Sequence, residues 1–136
     1  MRVLIVEQED VLRQSLGVFM EKFQRHEVFM ARSEKEGLSL CQEDTFDLAL
    51  CGEPLADGDS ISLLAAMKDR NPEIITVLMT VRNDEALAEK AILSGVNGYL
   101  VKPFDLRQLE AIICENNLKG AHPGSLKPKK TGGTGK

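Results

Sequence analysis

At 136 residues the chain can build one domain with a real core and is too short for two. Its 43% hydrophobic and 28% charged residues are those of a soluble globular protein, and one Tyr with no Trp calls for an aliphatic core. The net charge of −4 is unevenly spread: Lys119 to Lys136 carries five lysines and no acid, and taking those five positive charges away leaves −9 on residues 1–118, a body that repels nucleic acid.

"RVLIV" (Arg2–Val6) is short, β-branched and followed by acids, and predicts a fully buried strand. From Asp10 to Arg25, apolar Val11, Leu12, Leu16, Phe19, Met20 and Phe23 predict an amphipathic helix with one buried face. "EVFMA" predicts a weaker second strand. Ser33, with Glu36 three residues on, predicts a capping box and a helix to about Glu43. "DLALC" (Asp47–Cys51) is the third predicted strand. A helix opens at Ser60 and runs through Leu63, Leu64 and Met67 to "DRNP". "EIITVLMT" (Glu73–Thr80) is the fourth strand. Asp84–Ser94 reads as helix, stopped by Gly95. "NGYLV" (Asn97–Val101) is the fifth strand, and a last helix runs from Leu106 to about Asn117.

Strands alternating with helices imply parallel pairing through right-handed crossovers. Continuous apolar strands imply a sheet covered on both faces. The expected fold is therefore α/β, a doubly wound (βα)5 domain of flavodoxin-like architecture with five parallel strands over residues 1–118. A Lys/Gly/Pro-rich tail or linker is expected over 119–136. Ligands of such folds bind beyond the carboxyl ends of the strands. Those ends carry Glu7, Gln8 and Glu9; Gly52, Glu53 and Pro54; Thr80 and Val81; Lys102 and Pro103.

Four segments at these ends resemble the receiver domain of response regulators, the phosphoryl-accepting module of two-component signalling. They are "VLIVEQED", the third strand running into its loop, "VLMT", and "GVNGYLVKPFDLRQLEAII", with Thr80 lying 22 positions before Lys102. The resemblance spans Arg2 to about Asn117. It implies an acceptor aspartate where Gly52 stands, and an acidic Mg²⁺-holding pair where Glu7 and Gln8 stand, so that Glu7, Gln8 and Glu53 are expected to be the remnant of the acidic pocket. A metal-reaching main-chain carbonyl falls at Pro54. Thr80 matches the phosphoryl-binding hydroxyl, Lys102 the phosphate-pairing lysine, and Tyr99 the aromatic that turns inward on activation.

Phosphoryl transfer needs an in-line nucleophilic oxygen, which glycine lacks, and Mg²⁺ favours carboxylates in octahedral array. With one acid of three left, Glu7 and Lys102 sum to zero charge, so a direct Glu7–Lys102 ion pair is expected in place of a metal cluster, with Mg²⁺ binding weak or lost and no other cofactor. Plainer uses stand beside these. Thr80 can simply end its strand, Tyr99 can fill core or interface, Lys102 can be solvated, Gly52 can admit a close approach, and the acids after the first strand can complement a helix dipole.

The leading expectation is a pseudo-receiver: a non-enzymatic, phosphorylation-independent protein-interaction module working through Asp84–Asn117, the face such domains use for dimers or targets. An alternative keeps phosphorelay chemistry at a substitute acceptor, Glu53, Asp57 or Asp59, although strand alternation sends Glu53 to the other side from Gly52. A second alternative is a flavodoxin-like small-ligand protein, although no glycine-rich phosphate loop follows the first strand. A fused effector after the tail suits the linker-like composition. There is no secretory signal and no apolar run near the ~20 residues of a membrane span, so a cytoplasmic protein is expected. Cys41, Cys51 and Cys114 lie in apolar runs without CxxC spacing and are expected to be buried reduced thiols; His26 and His122 are each alone, which gives no zinc pattern.

Overall fold

The computed structural model describes residues 1–120. Strands β1 (Arg2–Val6), β2 (Glu27–Ala31), β3 (Leu48–Glu53), β4 (Ile75–Thr80) and β5 (Gly98–Val101) alternate with helices α1 (Asp10–Val18), α2 (Glu34–Glu43), α3 (Ser60–Arg70), α4 (Glu85–Leu93) and α5 (Leu106–Gly120). Every strand pair is parallel and the sheet order is β2-β1-β3-β4-β5, the flavodoxin-like (βα)5 topology expected from the alternation. The chain divides into two compact units, Met1–Phe104 with the whole sheet and Asp105–Lys136 with α5. Nothing between Asn117 and Gly120 breaks a helix, so α5 takes in the first two residues of the expected tail. The rest of that tail, with His122, lies outside the described residues.

In the first unit one face of the sheet presents Leu4, Val6, Ala49, Cys51 and Leu78. They pack with Cys41 of α2, Leu63, Leu64 and Met67 of α3, and Leu87 and Ala91 of α4. Side chains alternate along a strand, so Val3, Ile5, Leu48, Leu50, Val77 and Met79 point the other way. There α1 contributes buried Leu16, and Met20 follows it. The first helix departs from its expected pattern. After Val18 it widens into a π-helical turn, Phe19–Phe23. Each residue then turns through a smaller angle, and Phe23 drifts off the buried stripe to 72% exposed. Val11 is also outside the stripe, at 75%.

The turns carry out what the sequence announces. Ser33 Oγ accepts from the Glu36 amide at 3.1 Å, while Glu36 reaches back to the Arg32 amide at 2.8 Å rather than to Ser33. Asp59 caps α3 through Ile61 N, and Asp84 caps α4 through Ala86 N and Leu87 N. Gly95, at φ +93°, ends α4 where a left-handed turn favours glycine. Burial pushes the Cys51 thiol up to about 12, and Cys41 is buried too. Cys114 is exposed, contrary to expectation. Neighbours on a helix point about 100° apart, so membership of an apolar run does not bury each residue.

The β3–α3 loop is anchored at two points. Gln8 Oε1 accepts from Ala56 N at 3.0 Å. The Asp57 carboxylate accepts from Glu34 N at 2.9 Å and Lys35 N at 3.1 Å, at the start of α2. Those amides hold the Asp57 carboxyl below its ordinary value, Glu34's first and Lys35's next. A depressed carboxyl stabilises the fold above its unfolded pKa of about 4, and that contribution disappears as pH falls through the lower folded value. Asp57→Asn is therefore expected to lower the urea midpoint at pH 7. The gap from wild type should shrink as denaturation is repeated at pH 4 and below.

Candidate functional site

The register of the strands decides which side chains meet. Val6 lies beside Cys51, Gly52 beside Met79, Glu53 beside Thr80, and Thr80 beside Val101. Continuing the alternation puts Glu7, Gly52 and Lys102 toward the α1 side of the sheet, and Glu53, Thr80 and Tyr99 toward the α3–α4 side. The expected site thus separates into two clusters, and Glu53 does not join Glu7 in one acidic pocket.

The first cluster is the expected ion pair. Lys102 Nζ lies 2.8 Å from Glu7 Oε1, with the Glu7 side chain 1% exposed and Lys102 12%. Glu7 Oε2 accepts from the Glu9 amide at 2.9 Å. Oε1 has no hydrogen bond of good geometry, so the ammonium charge is its compensation. Gly52 is the floor of this pair. A Cβ built on it would lie 2.6 Å from Glu7 Cδ and nearer still to Oε1, inside the contact distance of any real pair of atoms. What approaches Gly52 is a side chain rather than backbone. The Glu7 carboxylate fills the space a residue-52 side chain would need. Ser60 Oγ closes the strand end by donating to the Gly52 carbonyl at 2.6 Å.

The second cluster is built around Thr80. Its hydroxyl donates to Glu53 Oε1 at 2.5 Å and accepts from Arg82 N at 3.0 Å. Arg82 Nη2 reaches Glu53 Oε2 at 3.2 Å. Tyr99, half-buried and packed against the core, donates its hydroxyl to the Arg82 carbonyl at 2.5 Å. Arg82 was not among the expected residues. Its only signal in sequence is its place two residues after Thr80. Arg13 was also missed: its buried guanidinium donates to the Glu7 carbonyl at 2.8 Å and to Asp10 Oδ1 at 2.5 Å, fixing the turn out of β1. Asp10 and Arg13 stand three apart on α1, a spacing that could have flagged the pair.

Gln8 is turned to the Ala56 amide, and Pro54 is exposed after a cis peptide bond. The donor set does not fit Mg²⁺. That ion favours several carboxylates at short range. Here Glu7 is already met by an ammonium and an amide, Gln8 is neutral, and Gly52 brings no oxygen of its side chain. Among the described residues no group of three or more His, Cys, Asp or Glu comes together to hold a metal.

A buried charge left without its partner costs about 3–5 kcal/mol. Glu7→Gln and Lys102→Met are each expected to destabilise on that scale in urea unfolding. The double variant should lose much less than their sum. Gly52→Ala is expected to cost about 1–3 kcal/mol by overpacking, and Glu7→Ala in the same chain should relieve that steric part.

The family described as response regulator receiver domain matches residues 3–114. The chain is 34% identical over 88 residues to the transcriptional regulatory protein ZraR of Escherichia coli, covering 65% of this chain and 20% of that protein. It is 31% identical over 111 residues to the transcriptional regulatory protein AfsQ1 of Streptomyces coelicolor, covering 82% and 48%. It therefore spans between a fifth and a half of the length of these relatives. Among solved structures, a CheY-like response regulator receiver domain protein from Methanospirillum hungatei superposes with TM-score 0.79 at 26% identity, over 88% of this chain and 95% of that one. The signal receiver domain of an HD domain-containing protein from Pseudomonas fluorescens gives 0.78 at 27%, over 89% and 96%. With the topology, the strand-end lysine and hydroxyl, and this match along most of its length, the chain belongs to the response regulator receiver domain family.

Proposed function

We propose that this receiver domain works as a protein-interaction module of two-component signalling without aspartyl phosphorylation. The observation that carries this reading is the Glu7 carboxylate lying over Gly52 and paired with Lys102. The acceptor position offers no nucleophile, and the lysine that would meet a phosphoryl group is already neutralised. Mg²⁺ affinity is lost with the carboxylates, and the module catalyses nothing of its own.

The acids near the vacancy are all employed elsewhere. Glu53 holds Thr80 and Arg82, Asp57 caps α2, and Asp59 caps α3 while accepting from Ser62 Oγ. None is left as a free carboxylate facing Lys102, which weighs against a substitute acceptor. The small-ligand reading has no supporting contact: the turn after β1 is Glu7-Gln8-Glu9-Asp10, which repels a phosphate.

The part of the working surface that falls in the first unit is α4 with β5. In the first unit, α4 exposes Ile92 and Leu93, with Val81 exposed on the loop before it and half-buried Tyr99 on β5. In this reading they are the side chains a protein partner would cover. The relatives carry more chain than the matched segment and are named as transcriptional regulators, which supports coupling to an effector.

The test is incubation of the whole 136-residue chain with a small-molecule phosphodonor and Mg²⁺, followed by intact mass. No phosphoryl adduct is expected, while an active receiver treated in parallel is modified. A stable adduct on Glu53, Asp57 or Asp59 would sink the reading.

A further inference from the structure

We propose that Glu53 is an intramolecular anion that occupies the donor set of Thr80 and Arg82 and thereby sets the position of Tyr99. This deepens the preceding reading, since a module that is not phosphorylated needs its state fixed by its own residues.

The bonding leaves Thr80 little choice. A hydroxyl has one proton to donate. The Arg82 amide donates to Thr80 Oγ1 at 3.0 Å, and the Thr80 proton goes to Glu53 Oε1 at 2.5 Å. The other carboxylate oxygen, Oε2, takes the Arg82 guanidinium at 3.2 Å. Both oxygens of one carboxylate are thus held by donors from the end of β4 and the residue two beyond it. The Glu53 side chain is 18% exposed, so the carboxylate is mostly withdrawn from water and its charge-assisted bonds count for more than at an open surface.

Arg82 joins this cluster to the next strand. Its side chain is held by Glu53, its amide by Thr80, and its carbonyl receives the Tyr99 hydroxyl at 2.5 Å. Three contacts converge on one residue, so the carbonyl under Tyr99 stays where Glu53 holds the loop. A small oxyanion arriving at Thr80 and Arg82 finds the donors filled and a like charge in place. Without the Glu53 carboxylate, the same hydroxyl and guanidinium form an open anion site.

The chain has one tyrosine and no tryptophan, so tyrosine emission reports on Tyr99 alone. The experiment uses the full chain, with emission, acrylamide quenching and Tyr99 ring resonances measured for wild type, Glu53→Ala, Glu53→Gln and Glu53→Ala/Thr80→Val. Glu53→Ala is expected to raise quenching and shift the ring resonances. Inorganic phosphate should return them toward wild type in Glu53→Ala, and should do nothing in wild type or in the double variant. Glu53→Gln keeps the shape and an acceptor for Thr80 but loses the ion pair, so a smaller shift in the same direction is expected. It carries the test if the alanine variant does not fold. Tyr99 signals identical to wild type in every folded Glu53 variant would overturn the proposal, as would a phosphate titration without effect in folded Glu53→Ala. A phosphoryl adduct on wild type would instead remove the preceding reading while leaving the Tyr99 result standing, so the two failures are distinguishable.

Discussion

A carboxylate resting in the space of a missing side chain is the constraint on which the strand-end site depends. Glu7 is almost wholly buried at the end of β1, a place where an unpaired charge is very costly. Two things make it tolerable. Gly52 leaves the volume, and Lys102 supplies the charge. The glutamate's extra methylene, relative to aspartate, lets it extend over the glycine toward the lysine. Sterics and electrostatics therefore fix the same three residues. The site is closed by shape as well as by charge, and the absence of a side chain at position 52 is a packing requirement of its neighbour.

The sheet divides the remaining chemistry. Because neighbours on a strand face opposite ways, Gly52 and Glu53 belong to different clusters although they are adjacent in sequence. Glu53 meets Thr80 because those two residues are paired across β3 and β4. The hydroxyl that faces a phosphoryl group in the family's pattern is engaged instead with a carboxylate from the neighbouring strand. Arg82 then carries the connection to β5. One polar cluster thus joins the ends of β1 and β3 to Lys102, and another ties the loop after β4 to Tyr99.

The architecture was legible in the sequence because apolar runs, caps and the Gly95 stop agree on the same five repeats. The Glu7–Lys102 contact was legible too, through the resemblance that sets these two positions in one pocket and the charge balance between them. What the sequence did not show is how these residues pack. That Gly52 makes room for Glu7 depends on the register of β1 against β3, which no local pattern states. Alternation correctly took Glu53 away from Gly52, but nothing in the residues said where the single proton of Thr80 would point. Arg82 and Arg13 drew no expectation, because most of their partners, main-chain groups and the Glu53 carboxylate, are brought to them only by the fold. The π-helical turn at Phe19–Phe23 has no breaker residue to announce it, and it alone moved Phe23 out of the predicted stripe.

The interlock at positions 7 and 52 also restricts the routes by which this sequence can change. An aspartate installed at 52 collides with the glutamate already there, and a shortened acid at 7 leaves a hole beneath a lysine that has lost its neighbour. Each step alone is uphill, and only the pair taken together leads to a second well-packed arrangement. Such mutual dependence separates two viable sequences by a valley, so drift at either position is held in check by the other.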